Sequence, residues 1–317
     1  MNLALKYRPK TFNDMVAQEE IIDILTYQVN NKSTKNSYLF VGASGCGKTT
    51  AARILADMLN NGKGSPIEID AASNNGVDNI RSIIEQANFR SIISEYKIFI
   101  IDECHMLSNG AWNALLKLLE EPPLKTVFIL CTTEPQKVIP TVLSRVQRFD
   151  FTKIPDTKII ERLKYIYEKE VSNAQYDNKS FEIIAKNSQG GLRTAISLLD
   201  KCLDFSPNLI VNNVYMALNL ISEDNLSNVV DYIFNKKEEE LLKELDVLYN
   251  NSYDFKVFIK DLIKFSLEKY KENIINENRI KYLGLINCLL NINNEIKYDN
   301  DPKIIVECEL LLFIKNI

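Results

Sequence analysis

One glycine-rich stretch, residues 41–50, restricts the possible folds of this chain more than any other feature. It reads Val-Gly-Ala-Ser-Gly-Cys-Gly-Lys-Thr-Thr and matches the pattern G-x-x-x-x-G-K-[ST]. The preceding run Ser37–Val41 is apolar and predicts a buried strand, and Ala51–Leu59 has apolar residues at helical spacing. Strand, glycine loop and helix in this order are the setting that a phosphate-binding loop requires. The alternative is a plain glycine turn before a helix.

Each part of this loop predicts a contact with a nucleoside triphosphate. The glycines let backbone N–H groups converge on phosphate oxygens, and the N-terminus of the helix adds its partial positive charge. Lys48 would reach the β- and γ-phosphates, and the Thr49 hydroxyl would bind Mg²⁺. We therefore predict ATP and Mg²⁺ as ligands. The loop residues expected to bind ATP are Gly42, Ala43, Ser44, Gly45, Cys46, Gly47, Lys48, Thr49 and Thr50.

A second chemical signature follows the apolar run Lys97–Ile101, where the chain continues as Asp102 and Glu103. Open α/β sheets place their ligands at the carboxyl ends of strands, so a buried strand here would deliver both carboxylates to the site. Asp102 would hold Mg²⁺ through water, and Glu103 would polarise the water that attacks the γ-phosphorus. This signal is weak alone and strong after a phosphate-binding loop. We interpret the single histidine, His105, as structural, because Glu103 already supplies a base.

Composition limits the class of protein. The 317 residues, of which 46% are hydrophobic and 25% charged, indicate an ordinary globular chain of two or three domains. The net charge is −4, so any contact with DNA needs a local basic face. The sequence shows no signal-peptide pattern and no apolar run of membrane-spanning length, which predicts a cytoplasmic protein. Six scattered cysteines without a C-x-x-C pair predict neither disulfides nor a zinc site.

The order of the predicted elements divides the chain into three parts. Strands and helices alternate through residue 151, which predicts a three-layer α/β domain with a parallel sheet. Three helices follow, and the chain after residue 208 has apolar residues at helical spacing throughout. The predicted domains are residues 1–154, 155–207 and 208–317, separated at Ile154–Pro155 and Ser206–Pro207. The helices predicted in the last domain are Lys236–Tyr249, Asp254–Lys271, Glu277–Ile296 and Pro302–Lys315.

Two further segments border the predicted site. Ala4–Val16 is expected to be irregular because Pro9 excludes a helix across that point. This aromatic and cationic arm could cover an adenine ring, and a simple surface arm is the alternative that residue types leave open. The apolar strand Thr126–Cys131 runs into Thr132–Thr133, where a hydroxyl could sense the γ-phosphate or its water.

Several stretches together resemble the AAA+ ATPase subunits of sliding-clamp loaders. The resemblance covers about residues 1–205. It is strongest to the gamma/tau subunits of bacterial DNA polymerase III and next to the small subunits of replication factor C. The stretches that carry it are Leu5–Phe12, Gly42–Thr50, Glu68–Ser73, Asp102–Glu103, Ala114–Pro123, Thr132–Val138, Leu143–Arg145 and Gly190–Arg193.

The resemblance implies roles for residues that spacing alone cannot assign. Ser144–Arg145 matches the family's Ser-Arg-Cys motif, which implies that Arg145 acts as an arginine finger in a neighbouring subunit's ATP site. Without the family, a solvated arginine would be the better interpretation. Thr133 matches sensor 1, and Arg193 matches the lid arginine, sensor 2, that touches the γ-phosphate. The residues that fall where the family encloses adenine are Tyr7, Arg8 and Val16.

The chain also departs from the family pattern. Bacterial gamma/tau subunits carry a four-cysteine zinc module after the P-loop helix, whereas Asn60–Ser65 closes that gap here, so no zinc is expected. Val146 stands in place of the motif's cysteine, and the chain ends without the long tail of tau. These departures favour a minimal loader, closer in build to the small subunits of replication factor C, with a phage origin and a cellular origin both left open.

The resemblance implies an AAA+ α/β domain, a three-helix lid and an all-α collar domain. A self-contained helical domain fits the last part equally well. The implied function is ATP-driven opening and loading of a sliding clamp at primer–template junctions, within a ring-like or spiral pentamer of loader subunits. One alternative is a non-hydrolysing structural loader subunit. Another is a branch-migration helicase, which would end in a winged-helix domain with strands.

Contact with DNA is expected at the helix Val77–Phe89, because clamp loaders grip duplex through helix N-termini and basic side chains. This helix opens at Asn75–Gly76 and carries Arg81. We expect Arg81 to meet a phosphate, with Asn75 and Asn79 as weaker candidates. A solvated or salt-bridged Arg81 is the alternative.

Overall fold

A computed structural model describes residues 2–172, 175–251, 253–272, 278–299 and 301–316. The chain divides into two compact units, Met1–Ile210 and Val211–Ile317, and each contains a hydrophobic core of its own. The separation of an ATPase domain from a lid at residue 154, and the boundary at residue 207, stay predictions.

Five parallel strands form the sheet of the first unit, within the continuously described residues 2–172. They are β1 (Ser37–Gly42), β2 (Ile67–Asp70), β3 (Lys97–Asp102), β4 (Thr126–Thr132) and β5 (Gln147–Phe151). Their order across the sheet is β2-β3-β4-β1-β5. The three central strands are buried almost along their whole length. Parallel strands that are covered on both faces need such continuous apolar sequences.

Helices cover both faces of this sheet. Along β1, Tyr38 and Phe40 pack into one core cluster, whereas Leu39 and Val41 pack into another on the opposite face. The alternation follows from the two-residue period of a strand. The helices of the first unit are α1 (Leu3–Lys6), α2 (Glu19–Asn30), α3 (Lys48–Leu59), α4 (Val77–Ala87), α5 (Asn109–Glu120), α6 (Pro140–Leu143), α7 (Asp156–Glu170), α8 (Asn178–Ser188) and α9 (Leu192–Phe205).

The strand register brings the carboxyl ends of three strands to one edge of the sheet. Val41 in β1 lies beside Thr132 in β4, and Ile101 in β3 lies beside Leu130 of the same β4 strand. The glycine-rich loop, the Asp102–Glu103 pair and Thr133 all follow directly from these ends. The fold therefore collects the chemical signatures of the sequence at a single edge.

The N-terminal arm is more regular than expected. The prediction of an irregular backbone was wrong at residues 4–6, because Leu3–Lys6 is a short helix. Asn2 caps it, since its side-chain oxygen accepts a hydrogen bond from the backbone N–H of Ala4 at 2.9 Å. Leu3 is 5% exposed and anchors the helix. Pro9 still separates this helix from the 3₁₀ turn Phe12–Asp14.

The described residues of the second unit form helices and the turns that connect them. Its cluster of buried leucine, isoleucine, valine and phenylalanine side chains draws on helices from both ends of the unit. The helix predicted to begin at Glu277 has its first residue outside the described ranges. The helices are α10 (Val211–Leu218), α11 (Glu223–Phe234), α12 (Glu238–Asn250), α13 (Phe255–Glu272), α14 (Asn278–Glu295) and α15 (Pro302–Asn316). None of the described helices combines the length and apolar content of a membrane crossing.

Candidate nucleotide site

A cleft at the carboxyl edge of the sheet gathers most of the residues predicted to bind ATP. Its walls come from the N-terminal arm, the glycine-rich loop, the end of β3 and the start of α9. Gly42, Ala43 and Thr133 do not line the cleft themselves but contact residues that do. The predicted site residues in its lining are Tyr7, Arg8, Val16, Ser44, Gly45, Cys46, Gly47, Lys48, Thr49, Thr50, Asp102, Glu103 and Arg193.

The loop holds Lys48 in place through its own backbone. Gly47 has a φ of 107°, a conformation that favours glycine, and it turns the chain into α3. The Nζ atom of Lys48 donates hydrogen bonds to the carbonyl oxygens of Gly42 at 2.8 Å and of Ala43 at 3.0 Å. Lys48 is only 6% exposed. The ammonium group therefore lies on the loop, where phosphate oxygens would replace the carbonyls as its partners.

Thr49 and Asp102 form a pair that suits a divalent cation. The Thr49 hydroxyl donates a hydrogen bond to Oδ2 of Asp102 at 2.8 Å, across the junction between α3 and β3. A hydroxyl and a carboxylate are hard oxygen ligands, which Mg²⁺ prefers, and Mg²⁺ takes its other ligands from phosphates and water. The two side chains predicted as magnesium ligands therefore lie together and fit that ion.

Glu103 lies beside the predicted sensor 1. Thr133 donates a hydrogen bond from its hydroxyl to Oε2 of Glu103 at 3.2 Å. The backbone of Glu103 has a φ of 47°, which is uncommon for a residue other than glycine, and its N–H donates to Oδ1 of Asp102 at 3.1 Å. This turn directs two consecutive carboxylates to the same edge of the sheet.

The lid helices contact the glycine-rich loop directly. The N–H of Leu192, the first residue of α9, donates to the carbonyl of Gly45 at 3.1 Å. A side chain at Gly45 would place its Cβ 3.2 Å from Gly191. Two glycines therefore permit this close approach. Arg193, the next residue along α9, lines the cleft, and its contact with a γ-phosphate stays a prediction.

The N-terminal arm is tied to the lid and is no free surface segment. Glu170 of α7 accepts hydrogen bonds from the Tyr7 hydroxyl and from Nζ of Lys6, the latter at 2.6 Å. Tyr7 also packs edge to face on Tyr165, with ring centroids 6.5 Å apart. Burial, followed by the hydrogen bond to Glu170, raises the pKa of Tyr7 to about 12. The arm thereby forms one fixed wall of the cleft.

Arg8 contributes positive charge to the cleft. Its Nε atom lies 3.4 Å from the hydroxyl of Thr50, beside the glycine-rich loop. Burial lowers the pKa of Arg8, and the nearby guanidinium groups of Arg53 and Arg193 lower it further. Like charges held close together favour an anionic ligand between them. This cluster suits a triphosphate.

Sequence reasoning missed the apolar part of the lining. Met15, Ile154 and Ile196 line the cleft, and they come from the arm, from the chain before α7 and from α9. Their side chains would give a nucleobase an apolar surface to pack against. The sequence did not reveal them, because apolar residues of this kind also occur throughout a protein core. The other missed lining residues are Ala4, Leu5, Pro9 and Leu192, and the last three lie within stretches that carried the resemblance.

Arg145 lies outside the cleft, at the end of α6. It forms an ion pair with Glu120 at the end of α5, and its Nη1 atom donates to the carbonyl of Thr141 and, at 3.0 Å, to the Ser144 hydroxyl. Its side chain is 31% exposed. The structure thus separates this arginine from the nucleotide cleft of its own chain.

The residues proposed to contact DNA are also apart from the cleft. Asn75 and Asn79 are exposed at the start of α4. Arg81 is exposed too, and its guanidinium group forms an ion pair with Asp78 at 3.1 Å. Such an exposed pair contributes little to stability, so it leaves the arginine available to a phosphate. Their role in DNA binding stays a prediction.

Comparison with known proteins gives the family. The chain is 36% identical to DNA polymerase III subunit tau of Bacillus subtilis over an alignment of 344 positions, which covers 95% of this chain and 61% of that protein. It is 30% identical to DNA polymerase III subunit gamma of Buchnera aphidicola from Acyrthosiphon pisum, with 99% of both chains covered. The chain belongs to the DNA polymerase III gamma/tau family. The family resemblance found in the sequence is thereby confirmed.

Further matches add detail to this family membership. Residues 66–155 match the family described as DNA polymerase III, delta subunit. The gamma/tau chain spans 38% of the tau/gamma subunit of Haemophilus influenzae and 61% of the Bacillus subtilis protein, so both relatives are considerably longer. The Holliday junction branch migration motor RuvB of Thermotoga maritima has a similar fold, with a TM-score of 0.55, 19% identity, and 73% and 80% of the two chains covered. This likeness confirms the predicted AAA+ fold.

Proposed function

We propose that this chain is the ATPase subunit of a DNA sliding-clamp loader, which uses ATP to open a clamp and load it at primer–template junctions. One observation carries the proposal. In a gamma/tau family chain, Lys48, the Thr49–Asp102 pair and the Glu103–Thr133 pair meet at one cleft. Because several relatives are longer than this chain, its activity, substrate and partners are inferred from the site and the family together.

The polar side chains at this cleft have different roles in the proposed reaction. Lys48 and the loop N–H groups hold the β- and γ-phosphates, while Thr49 and Asp102 hold Mg²⁺, which would neutralise charge on the phosphates. Glu103 orients the attacking water, and Thr133 fixes the Glu103 carboxylate. Arg193 reaches the γ-phosphate from the lid, so the lid would respond to whether that phosphate is present.

The arginine finger would come from a neighbouring subunit. Arg145 does not line the cleft of its own chain. Its ion pair with Glu120 holds it where the C-terminal ends of α5 and α6 meet. Such a placement supports a role in trans, where an added arginine stabilises charge in the transition state. The proposed assembly is therefore a ring-like or spiral oligomer, with a pentamer as the family precedent.

Exposed apolar side chains in the second unit support a role in binding other protein subunits. On α14 and α15, Ile280 is 80% exposed, Ile304 60% and Leu283 55%, in addition to the buried residues of the same helices. Helices that are apolar on a second face are typical of contacts between proteins. We propose that this unit forms the collar between subunits. The other proposed partners are the sliding clamp and primer–template DNA, in a cytoplasmic replication complex.

Two alternative functions are less well supported. A non-hydrolysing loader subunit would not need the full set of Lys48, Thr49, Asp102 and Glu103, which is present here. A branch-migration helicase would carry a winged-helix domain with strands near its end. In residues 211–251, 253–272, 278–299 and 301–316, the structure contains helices and connecting turns but no strand.

Steady-state ATPase assays can test this proposal. We would measure ATP hydrolysis by the full chain with its partner subunits, with and without sliding clamp and primed DNA. Lys48→Ala is the test variant, and Lys63→Ala is the matched control, because Lys63 is an exposed lysine on a turn outside the cleft. We expect hydrolysis that clamp and primed DNA stimulate and that Lys48→Ala alone removes. Hydrolysis without such stimulation would point to another AAA+ machine, and no hydrolysis to a structural subunit.

A further inference from the structure

The single histidine of the chain lies inside the polar cluster that holds Glu103. His105 lies on the 3₁₀ turn Cys104–Met106 that follows β3, and 7% of its side chain is exposed. Its Nδ1 atom forms a hydrogen bond with the hydroxyl of Thr132 at 3.1 Å and also lies 3.3 Å from Oε2 of Glu103. Its Nε2 atom is 3.4 Å from Oε1 of Glu134. Both ring nitrogens therefore face oxygen atoms, and two of those atoms belong to carboxylates.

The contacts on Glu103 are unevenly divided between its two oxygen atoms. Oε2 accepts the hydrogen bond from Thr133 and also faces the ring of His105. Among the described residues, no hydrogen bond ends on Oε1. Thr133, directly after β4, and His105, on the turn after β3, thus contact one oxygen. The other oxygen would then be available to the water that attacks the γ-phosphorus.

The backbone of Glu103 makes this support necessary. Its φ of 47° lies in the left-handed region, which is energetically unfavourable for a residue with a side chain. Such conformations persist where surrounding contacts hold them, and they concentrate at active sites. A carboxylate on a strained turn would sample several rotamers unless neighbouring groups select one. His105 and Thr133 both have polar atoms within 3.3 Å of this carboxylate.

We propose that His105 is a positioning residue for ATP hydrolysis, which fixes the Glu103 carboxylate through Nδ1 and links it to Glu134 through Nε2. This inference rests on the proposed ATPase function of the same cleft. It replaces the interpretation of His105 as merely structural, which the sequence favoured because a base was already present. The histidine supplies no base here. It determines where the existing base points.

The proposal predicts a separation of turnover from binding. His105→Ala should lower kcat about tenfold or more, a part of the 10²–10⁴-fold that a positioned acid or base supplies. The Kd for ATP should change less than about twofold, because Glu103 acts on water in the transition state and not on the bound nucleotide. In a Glu103→Gln background, the same change should cost no further activity, since His105 acts through Glu103.

Two conservative variants separate positioning from packing. In His105→Asn, the amide lies near the position of Nδ1 and can still contact Glu103. In His105→Gln, it lies near the position of Nε2 and can contact Glu134 only. We expect His105→Asn to recover most of the lost kcat and His105→Gln to recover little. If the histidine only filled space, the kcat of the two variants would depend on their thermal stability and not on the position of the amide.

The experiment measures kcat and KM, ATP affinity by calorimetry, and Tm for the full chain with its partner subunits. The proposal is overturned if His105→Ala keeps kcat within about twofold, if Asn and Gln recover activity equally, or if His105→Ala lowers kcat further in Glu103→Gln. Should His105→Ala fail to fold, the comparison of Asn with Gln decides alone. A wild-type chain that hydrolyses no more ATP than Lys48→Ala would instead refute the proposed function, and this inference with it.

Discussion

The two compact units of this chain present opposite kinds of surface. In the first unit, polar and charged groups meet at one edge of the sheet, and hydrogen bonds join Thr49 to Asp102 and Thr133 to Glu103. In the second unit, α14 buries Leu285 and Leu289 while it exposes Leu283, so a single helix is apolar on two faces. On the proposed function the difference corresponds to two tasks: the first unit would perform the chemistry, and the second would provide the surface for assembly.

The largest expected effect is loss of ATP binding or hydrolysis in the first unit, with assembly through the second unit unchanged. Lys48→Ala should abolish productive ATP binding, because the ammonium group is the cation placed between the β- and γ-phosphates. Glu103→Gln should keep binding and lose hydrolysis, since only the carboxylate that polarises the water changes. Oligomer mass should stay the same in both. Calorimetry with ATP checks the assignment, and equal affinity in Lys48→Ala and wild type would refute it.

A second variant tests a residue that belongs to the first unit but acts in the assembly. Arg145→Ala should leave ATP affinity of the isolated chain nearly intact and lower ATPase in the complex by about 10³-fold or more. The reason is that an arginine finger stabilises the transition state in another subunit's site. Arg148→Ala is a suitable control, because Arg148 is exposed and pairs with Asp150 within β5. Unchanged turnover in the complex would remove Arg145 from the mechanism.

A third variant should break the second unit and spare the first. Leu283→Asp places a charge on the exposed apolar face of α14, so we expect weaker subunit association with unchanged ATP affinity. Its control is Lys281→Asp on the same helix, where an exposed polar side chain is replaced. Mass measurement by light scattering reports the result. If Leu283→Asp assembles like its control at matched concentration, this face is not the subunit interface.

The smallest effect concerns DNA. Arg81→Ala should weaken binding of primed DNA uniformly across sequences and flatten the log–log salt dependence by roughly one unit per subunit engaged. Arg90→Ala is the matched control, because Arg90 is exposed beyond the opposite end of α4. The salt dependence of affinity is measured by titration at several ionic strengths. A variant that keeps the wild-type slope would show that the DNA surface lies elsewhere.

The sequence predicted the parts of the site that depend on short spacing. Lys48 and Thr49 follow from a local motif, and Asp102 follows from the rule that parallel strands present ligands at their carboxyl ends. Thr133 and Arg193 needed the family resemblance, because a single threonine or arginine carries no distinctive pattern. The three-layer α/β fold followed from the alternation of strands and helices, which periodicity reveals over long segments, and its assignment as AAA+ came from the family resemblance.

Long-range contacts could not be read in this way. Tyr7 binds Glu170, which is 163 positions away in the chain, so nothing local indicates that the arm is fixed to the lid. Met15 and Ile196 are apolar residues of an ordinary kind, and only the folded structure shows that they line the cleft. The left-handed turn at Glu103 contains no glycine that would have indicated it in the sequence. Its contacts with His105 therefore emerged from geometry alone.

Clamp loading itself tests the central claim most directly. The measurement is retention of a labelled sliding clamp on primed circular DNA after incubation with the full chain, its partner subunits and ATP. We predict ATP-dependent retention with wild type, and none with Lys48→Ala, which cannot hold the triphosphate. Equal retention with Lys48→Ala, or retention without ATP, would contradict the account that this cleft powers the loading of a clamp.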